Sequence, residues 1–366
     1  MVDFRYHVIS IVAIFVALAV GIVLGAGPLK GASDAALRDS VASFRSDNTG
    51  LRQQLSDARG QVGLTDQFAA QIAPDLVARR LPHTEVVIIR MPGVDSGVSK
   101  DVTALLGKAG ASVTGTLTLT TAWTADTADS SLQRAVGKLS VPFDRPSVTG
   151  SVPTPPMSDL AVAGGQSSPT VSPDPTAAAQ ALALVSTALA RAIVTTPAPD
   201  QYPPAARPSP EKSSGPVPGV GTARATGLVN RATLRDLADA GLVESNARLT
   251  ARAAVAVILA AAPPNDGSSP KLGPLVSLVG ALREASAGTV VAGPAEAARS
   301  GGLIQAVRAD PGTDQHVSTV DSAERPAGAV AVVLAVLEQI QGGVGDYGAV
   351  GTTDGAMPQV LGVSAP

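Results

Sequence analysis

Few residues in this chain can do metal, acid–base or nucleophilic chemistry, and those few are mostly far apart. The three histidines, His7, His83 and His316, are widely separated, as are Met1, Met91, Met157 and Met357, and there is no cysteine. Disulfides, thiolate metal sites and thiol catalysis are thereby excluded. No M-x-x-M or H-x-x-M cluster offers soft ligands to a metal. The densest group of ligating side chains is Asp310, Asp314, His316 and Asp321. Within it His316 and Asp314 are the candidate metal ligands, and a cleft where Asp310, Asp314 and His316 converged would suit an enzyme. Gly293-Pro294 has the look of a βα turn, but G-x-G-x-x-G, G-x-x-x-x-G-K-[ST] and G-x-S-x-G are all absent. Dinucleotide, phosphate-loop and serine-hydrolase chemistry therefore have no support. The expectation is a protein that is not an enzyme, with no evident cofactor.

The elements that carry these residues begin with a membrane anchor. Val8 to Gly27 reads VISIVAIFVALAVGIVLGAG, with Ser10 its one polar side chain. At 1.5 Å per residue the run spans the hydrocarbon core of roughly 30 Å. A cleaved signal peptide would have a shorter apolar region, and the small residues around Gly25 and Gly27 run at once into Pro28. We expect an uncleaved transmembrane anchor over residues 1–28, with a seven-residue tail inside and the bulk of the chain extracytoplasmic. Ala13, Ala17, Gly21 and Gly25 recur every fourth residue and form one ridge of small side chains along which two such helices can approach.

A heptad pattern follows over 33–62. Val41, Asn48, Leu55 and Val62 take the a positions and Leu37, Phe44, Leu51 and Ala58 the d positions, the arrangement of a parallel homodimeric coiled coil with one polar residue fixing register. Gly50 and Gly60 weaken it by about 1 kcal/mol each. All four e positions are arginine: Arg38, Arg45, Arg52 and Arg59. This row is either a solvated charged edge or a strip that meets an acidic protein or an anionic envelope polymer.

The rest of the chain reads as α/β. EVVIIR at Glu85 to Arg90, a helical Val98 to Ala109 and a β-rich Ala111 to Thr120 make a β-α-β unit within a first segment, 80–140. Ala253 to Ala260, Thr289 to Ala292 and His316 to Val320 read as strands. Leu272 to Ala285, Ala295 to Val307 and Ala327 to Gln341 read as helices, all within a second segment, 226–366. This alternation predicts a mostly parallel sheet covered on both faces. Between the two lies a Pro/Ser/Thr/Ala-rich insert and linker, 141–225, with an Ala-rich helical stretch at Thr176 to Ile193. The net charge of −3 and the absence of a zinc-finger, RNA-binding or helix-turn-helix signature argue against nucleic acid as a partner. One Trp, three Tyr and five Phe cannot furnish the aromatic girdles of a transmembrane β-barrel, so a pore would have to come from assembled helices.

The opening HVISIVAIFVALAVGIVLGAGPL, running into the coil, and the closing STVDSAERPAGAVAVVLAVLEQIQGGVGDYGAVG resemble the two ends of the actinobacterial copper transport (MctB-like) family. The order of elements between them agrees, apart from the Pro-rich insert. The resemblance implies a single-pass envelope protein of copper efflux, with copper as the transported species, in a family also described in the outer membrane. From the architecture alone, the alternative is a non-catalytic dimeric membrane scaffold that recruits cell-envelope or cell-separation enzymes.

Overall fold

The structure, a computed structural model, describes residues 3–26, 28–125, 128–139, 175–195, 227–245, 249–264 and 270–359. The chain divides into two compact units, Met1–Thr65 and Asp66–Pro366.

In the first unit, α1 (Asp3–Ala26) contains a 20-residue stretch, Arg5–Leu24, long and apolar enough to cross a bilayer. Ile9, Phe15, Ile22 and Leu24 are more than half exposed, as expected of side chains that need lipid around them. The second helix, α2 (Pro28–Val77), runs for 50 residues and carries the heptad segment as uninterrupted helix. Phe44, Leu51 and Leu55 stand exposed along it. Its last turns belong to the second unit, where Ala73 and Val77 are buried. The helix ends one turn after Pro74, and Arg79 adopts φ 57° to turn the chain away.

The second unit is built on a six-stranded, wholly parallel sheet in the order β2-β1-β3-β4-β5-β6. Its strands are β1 (Glu85–Arg90), β2 (Ser112–Thr118), β3 (Val255–Leu259), β4 (Gly288–Ala292), β5 (Ser318–Val320) and β6 (Asp346–Tyr347). The central strands bury both faces, which explains their unbroken apolar runs: Val86 to Ile89 in β1 and all of VAVIL in β3. On one face α3 (Ser96–Lys108) packs against α10 (Pro326–Ile340), which also lies on β4 and β5. On the other, α5 (Pro175–Ile193) packs against α7 (Gly273–Ala285), with α8 (Leu303–Ala309) and α9 (Pro311–Asp314) beside it. Two further helices, α4 (Ala128–Lys138) and α6 (Arg231–Asp239), join α5. The single tryptophan, Trp123, is fully buried and donates from Nε1 to the Leu242 carbonyl at 2.9 Å.

The β-α-β reading of 80–140, the strands in the C-terminal third and the Ala-rich helix are all present, with small shifts of boundary. Ala295 to Val307, expected as one helix, is instead a short 3-10 turn, Ala295–Ala298, followed by α8. The break falls at Gly301 (φ 82°) and Gly302, where any side chain on residue 302 would run into the Ala297 carbonyl. The strand expected from His316 begins at Ser318. The Ala-rich helix packs into the head, with Val185, Leu189 and Ile193 completely buried. The Pro-rich stretches on either side of it lie outside the described residues.

The last strand is reached by an uncommon route. β1→β2 crosses leftward along the sheet over the face that carries α3, and β3→β4 crosses rightward over the opposite face, so the two share one hand. β5→β6 crosses rightward over the α3 face, because α10 packs there, and its hand is therefore the opposite. Parallel crossovers are right-handed in about 98% of cases. β6 is the exception, and it is only two residues long.

Candidate functional site

With so little strand pairing, β6 needs other anchors, and the densest polar cluster of the head gathers around it. Register places Thr319 beside Asp346 and Val320 beside Tyr347. The Thr319 hydroxyl donates to Asp346 Oδ1 at 2.7 Å, and the Asp321 N–H donates to the Tyr347 carbonyl at 2.9 Å. Arg308 reaches in from α8, with its side chain 12% exposed. Its Nε donates to Thr319 Oγ1 (2.7 Å), Nη1 to the Val350 carbonyl (2.8 Å) and Nη2 to the Tyr347 carbonyl (3.1 Å). The same guanidinium lies 3.5 Å from Asp321 Oδ2 and 3.6 Å from Asp346 Oδ1.

Asp321, the first residue after β5, is the counter-charge and has no exposed side-chain surface. It accepts from the Ala349 N–H (2.7 Å), the Val350 N–H (3.2 Å) and the Ser322 hydroxyl (3.0 Å). Three hydrogen-bond donors and a guanidinium thus surround the buried carboxyl group. Gly348 passes so close, with φ 131°, that a Cβ there would overlap the Asp321 carboxylate. Asp354 closes the loop by accepting from the Asp346 N–H at 2.9 Å and donating its own N–H to the Asp346 carbonyl at 2.7 Å.

A second set comes from the end of α10. Gln339 is 4% exposed, and its Nε2 donates to Ser318 Oγ at 3.0 Å while its Oε1 accepts from the Thr289 N–H at 3.3 Å. One side chain thus joins α10 to β4 and β5. Its neighbour Glu338, 7% exposed, lies 2.7 and 2.8 Å from the hydroxyl of Tyr347 through its two carboxyl oxygens. Burial pushes the Glu338 carboxyl up to about 7, against the pull of the Tyr347 hydrogen bond and with a small addition from Asp354. Burial and the Glu338 charge together push the Tyr347 hydroxyl up as well. The cluster therefore holds one buried ion pair, Arg308 with Asp321, and one acid, Glu338, whose carboxyl is pushed up to about 7.

The residues expected from the sequence to do chemistry lie elsewhere or have other duties. Asp310 caps α9, accepting from Thr313 N (3.0 Å) and Thr313 Oγ1 (2.9 Å). Asp321 is taken up by Arg308 and the backbone. His316 sits one residue before Val317, its imidazole pushed below the ordinary value by burial and, second, by Arg283. Among the described residues no three of His, Asp and Glu stand close enough to hold a metal ion, so His316 and Asp314 have no third ligand beside them. The coil positions from Val41 to Val62 and the arginines Arg45, Arg52 and Arg59 lie exposed on α2. Gly25, Leu37 and Arg38 are helical, and their side chains lie outside the described residues.

Sequence reading passed over Arg308, Glu338, Gln339, Asp346, Tyr347 and Asp354. The one available signal was the EQ pair that interrupts the otherwise apolar closing helix AVAVVLAVLEQI, since polar residues on a buried helix require partners.

The sequence matches known proteins over nearly its whole length. The family profile described as "Copper transport outer membrane protein, MctB" matches residues 1–358. The proteins named copper transporter MctB from Mycobacterium tuberculosis and Mycobacterium bovis are each 27% identical over 364 residues, covering 98% of this chain and 98% of the relative. The Mycobacterium leprae protein of the same name is 28% identical over 367 residues, covering 98% of this chain and all of the relative. Anchor, long helix and α/β head all fall within these matches, and the chain belongs to the MctB family of copper transport proteins.

Proposed function

We propose that this protein serves copper efflux as a single-pass membrane protein whose coil and head stand outside the cytoplasmic membrane. The observation that carries the reading is the extent of the match: relatives named copper transporters align with this chain from the anchor to the end of the head. The scaffold alternative has no counterpart among those names. The geometry bears on the manner of transport. The sheet is closed off by helices on both faces, the strands are two to seven residues long, and α1 offers a bilayer only apolar side chains around Ser10. A conduit would then need several copies or a partner, and copper contacts would come from carboxylates, backbone or that partner.

Self-association is built into this reading. Val41, Phe44, Leu51, Leu55 and Val62 form an apolar stripe left open on α2, and a second copy in parallel register would cover it. The later a position Leu76 packs partly against the head of its own chain, so the seam ends before it. Arg45, Arg52 and Arg59 flank it and are the groups an acidic partner or anionic polymer would meet. The test is genetic. A strain lacking the protein grows poorly on sub-lethal copper, and growth returns with the full chain but not with one whose residues 1–28 are removed; equal growth of the null and parent strains overturns the reading.

A further inference from the structure

We propose that Glu338 and Tyr347 form a proton-operated latch on the C-terminal strap, residues 342–358, shut while Glu338 is the neutral acid and released when its proton leaves. The evidence is geometric. A single hydroxyl lies 2.7 and 2.8 Å from the two oxygens of one carboxyl group. A phenol carries one hydrogen, which alone can only fork between the two oxygens; two full bonds form when the carboxyl supplies a second, with Tyr347 Oη–H donating to one oxygen while the other, protonated, donates back to Oη. Ionisation removes that second bond and leaves a charge where water does not reach.

The strap is formed to enclose this pair. At Gly343 a Cβ would stand 2.6 Å from Glu338 Cγ, and at Gly345 it would strike the Tyr347 hydroxyl, so the backbone lies directly against both side chains. β6 is the strand of opposite crossover hand, pairs with β5 over two residues and on its other side meets the strap's own Gly355 through a single bridge at Tyr347. Beyond the Arg308 and Asp321 side chains and that two-residue pairing, its main chain is held to the sheet by the Thr319 N–H donating to the Gly345 carbonyl and the Asp321 N–H donating to the Tyr347 carbonyl. Among the described residues the one charged group that acts on Glu338, Asp354, favours its neutral form. Asp346 lies on β6 and Asp354 in the loop beyond, β4 and β5 contribute no titratable side chain, and Lys100, Asp101 and Lys108 of α3 are exposed. Arg308 is spent on Asp321 and Asp346. On release the proton goes to solvent, and the Tyr347 ring and the strap on either side of the Arg308 contacts part from the end of α10 while Arg308 still holds the Tyr347 and Val350 carbonyls.

Hydrogen exchange read by mass spectrometry on the full chain in detergent tests the latch, after correction for the intrinsic pH dependence of exchange. For a carboxyl that titrates at about 7 when shut and near its ordinary 4.5 when open, strap opening rises roughly thirtyfold between about pH 5.5 and about pH 8.5. Glu338→Gln places a permanent donor and acceptor against Tyr347 and removes this rise, leaving the strap protected at both pH values. A wild-type strap equally protected at both, or a Glu338→Gln strap that keeps the rise, overturns the proposal. If Glu338→Gln fails to fold, infrared spectra of the wild type decide instead. They are expected to show a protonated-carboxyl band that disappears across neutral pH and moves to higher frequency in Tyr347→Phe; no titrating band overturns the latch.

Discussion

Replacing Arg308 with methionine keeps the unbranched stem, removes the charged guanidinium and leaves every partner of that group in place. Asp321 keeps its three donors but loses its cation at a position with no exposed side-chain surface. The Val350 and Tyr347 carbonyls each lose a donor. Breaking a buried pair from one side costs about 3–5 kcal/mol, and stranded carbonyls push toward the upper end, while the residual donors on Asp321 push toward the lower. We expect a loss of about 4 kcal/mol, roughly a thousandfold in the folding equilibrium and a large part of a typical domain's 5–15 kcal/mol. Trp123 makes the assay specific, because it is the chain's one tryptophan and lies wholly buried in the head. Its emission during urea unfolding of the full chain in detergent reports head stability alone. Arg299→Ala is the control, since Arg299 meets Glu296 at 3.6 Å with both side chains more than half exposed, a pair worth at most about 1 kcal/mol. An Arg308→Met head within about 1 kcal/mol of wild type would refute the view that this cluster holds β6 in place.

Other perturbations follow from the same geometry. Gly348→Ala forces a Cβ onto Asp321 at φ 131° and should cost about 2–3 kcal/mol by the same tryptophan assay, whereas Gly137→Ala, in open space on α4, should be neutral or stabilising. The unfolded chain ionises Glu338 near 4.5 and the head only at about 7, so the folded state binds more protons between these values. Head stability should therefore fall by about 3 kcal/mol as pH rises from 4.5 to about 7 and level off above; a Glu338→Gln head, compared at each pH, should lack this component. Asn48→Leu should tighten self-association in sedimentation of the detergent-solubilised chain and loosen its preference for two strands, and a monomer at high concentration would exclude the homodimeric coil. Gly21→Ile with Gly25→Ile should lower the signal of a membrane self-association reporter.

The sheet was legible in the sequence where burial on both faces leaves no room for polar residues. EVVIIR, VAVIL and GTVVA declare central parallel strands by that alone. The breaks were harder to read: Gly301-Gly302 ends a turn because of one close approach to Ala297, which is a tertiary fact. β6 escaped notice because a two-residue strand has no periodicity, and its stability rests on Arg308, Asp321 and Glu338, which come from three separate places in the chain. The spacing of Asp310, Asp314, His316 and Asp321 suggested a cluster in sequence, but a cap, a buried ion pair and a turn draw Asp310, Asp321 and His316 to different duties. The long apolar helix near the N-terminus was plain because an apolar run is a one-dimensional pattern that needs no knowledge of the head.

Cell-associated copper after a sub-lethal load tests the functional assignment most directly, measured in a strain without this protein and in the same strain carrying the full chain. Copper is expected to accumulate in the first and return to the parental level in the second; equal copper in both would contradict a role in efflux.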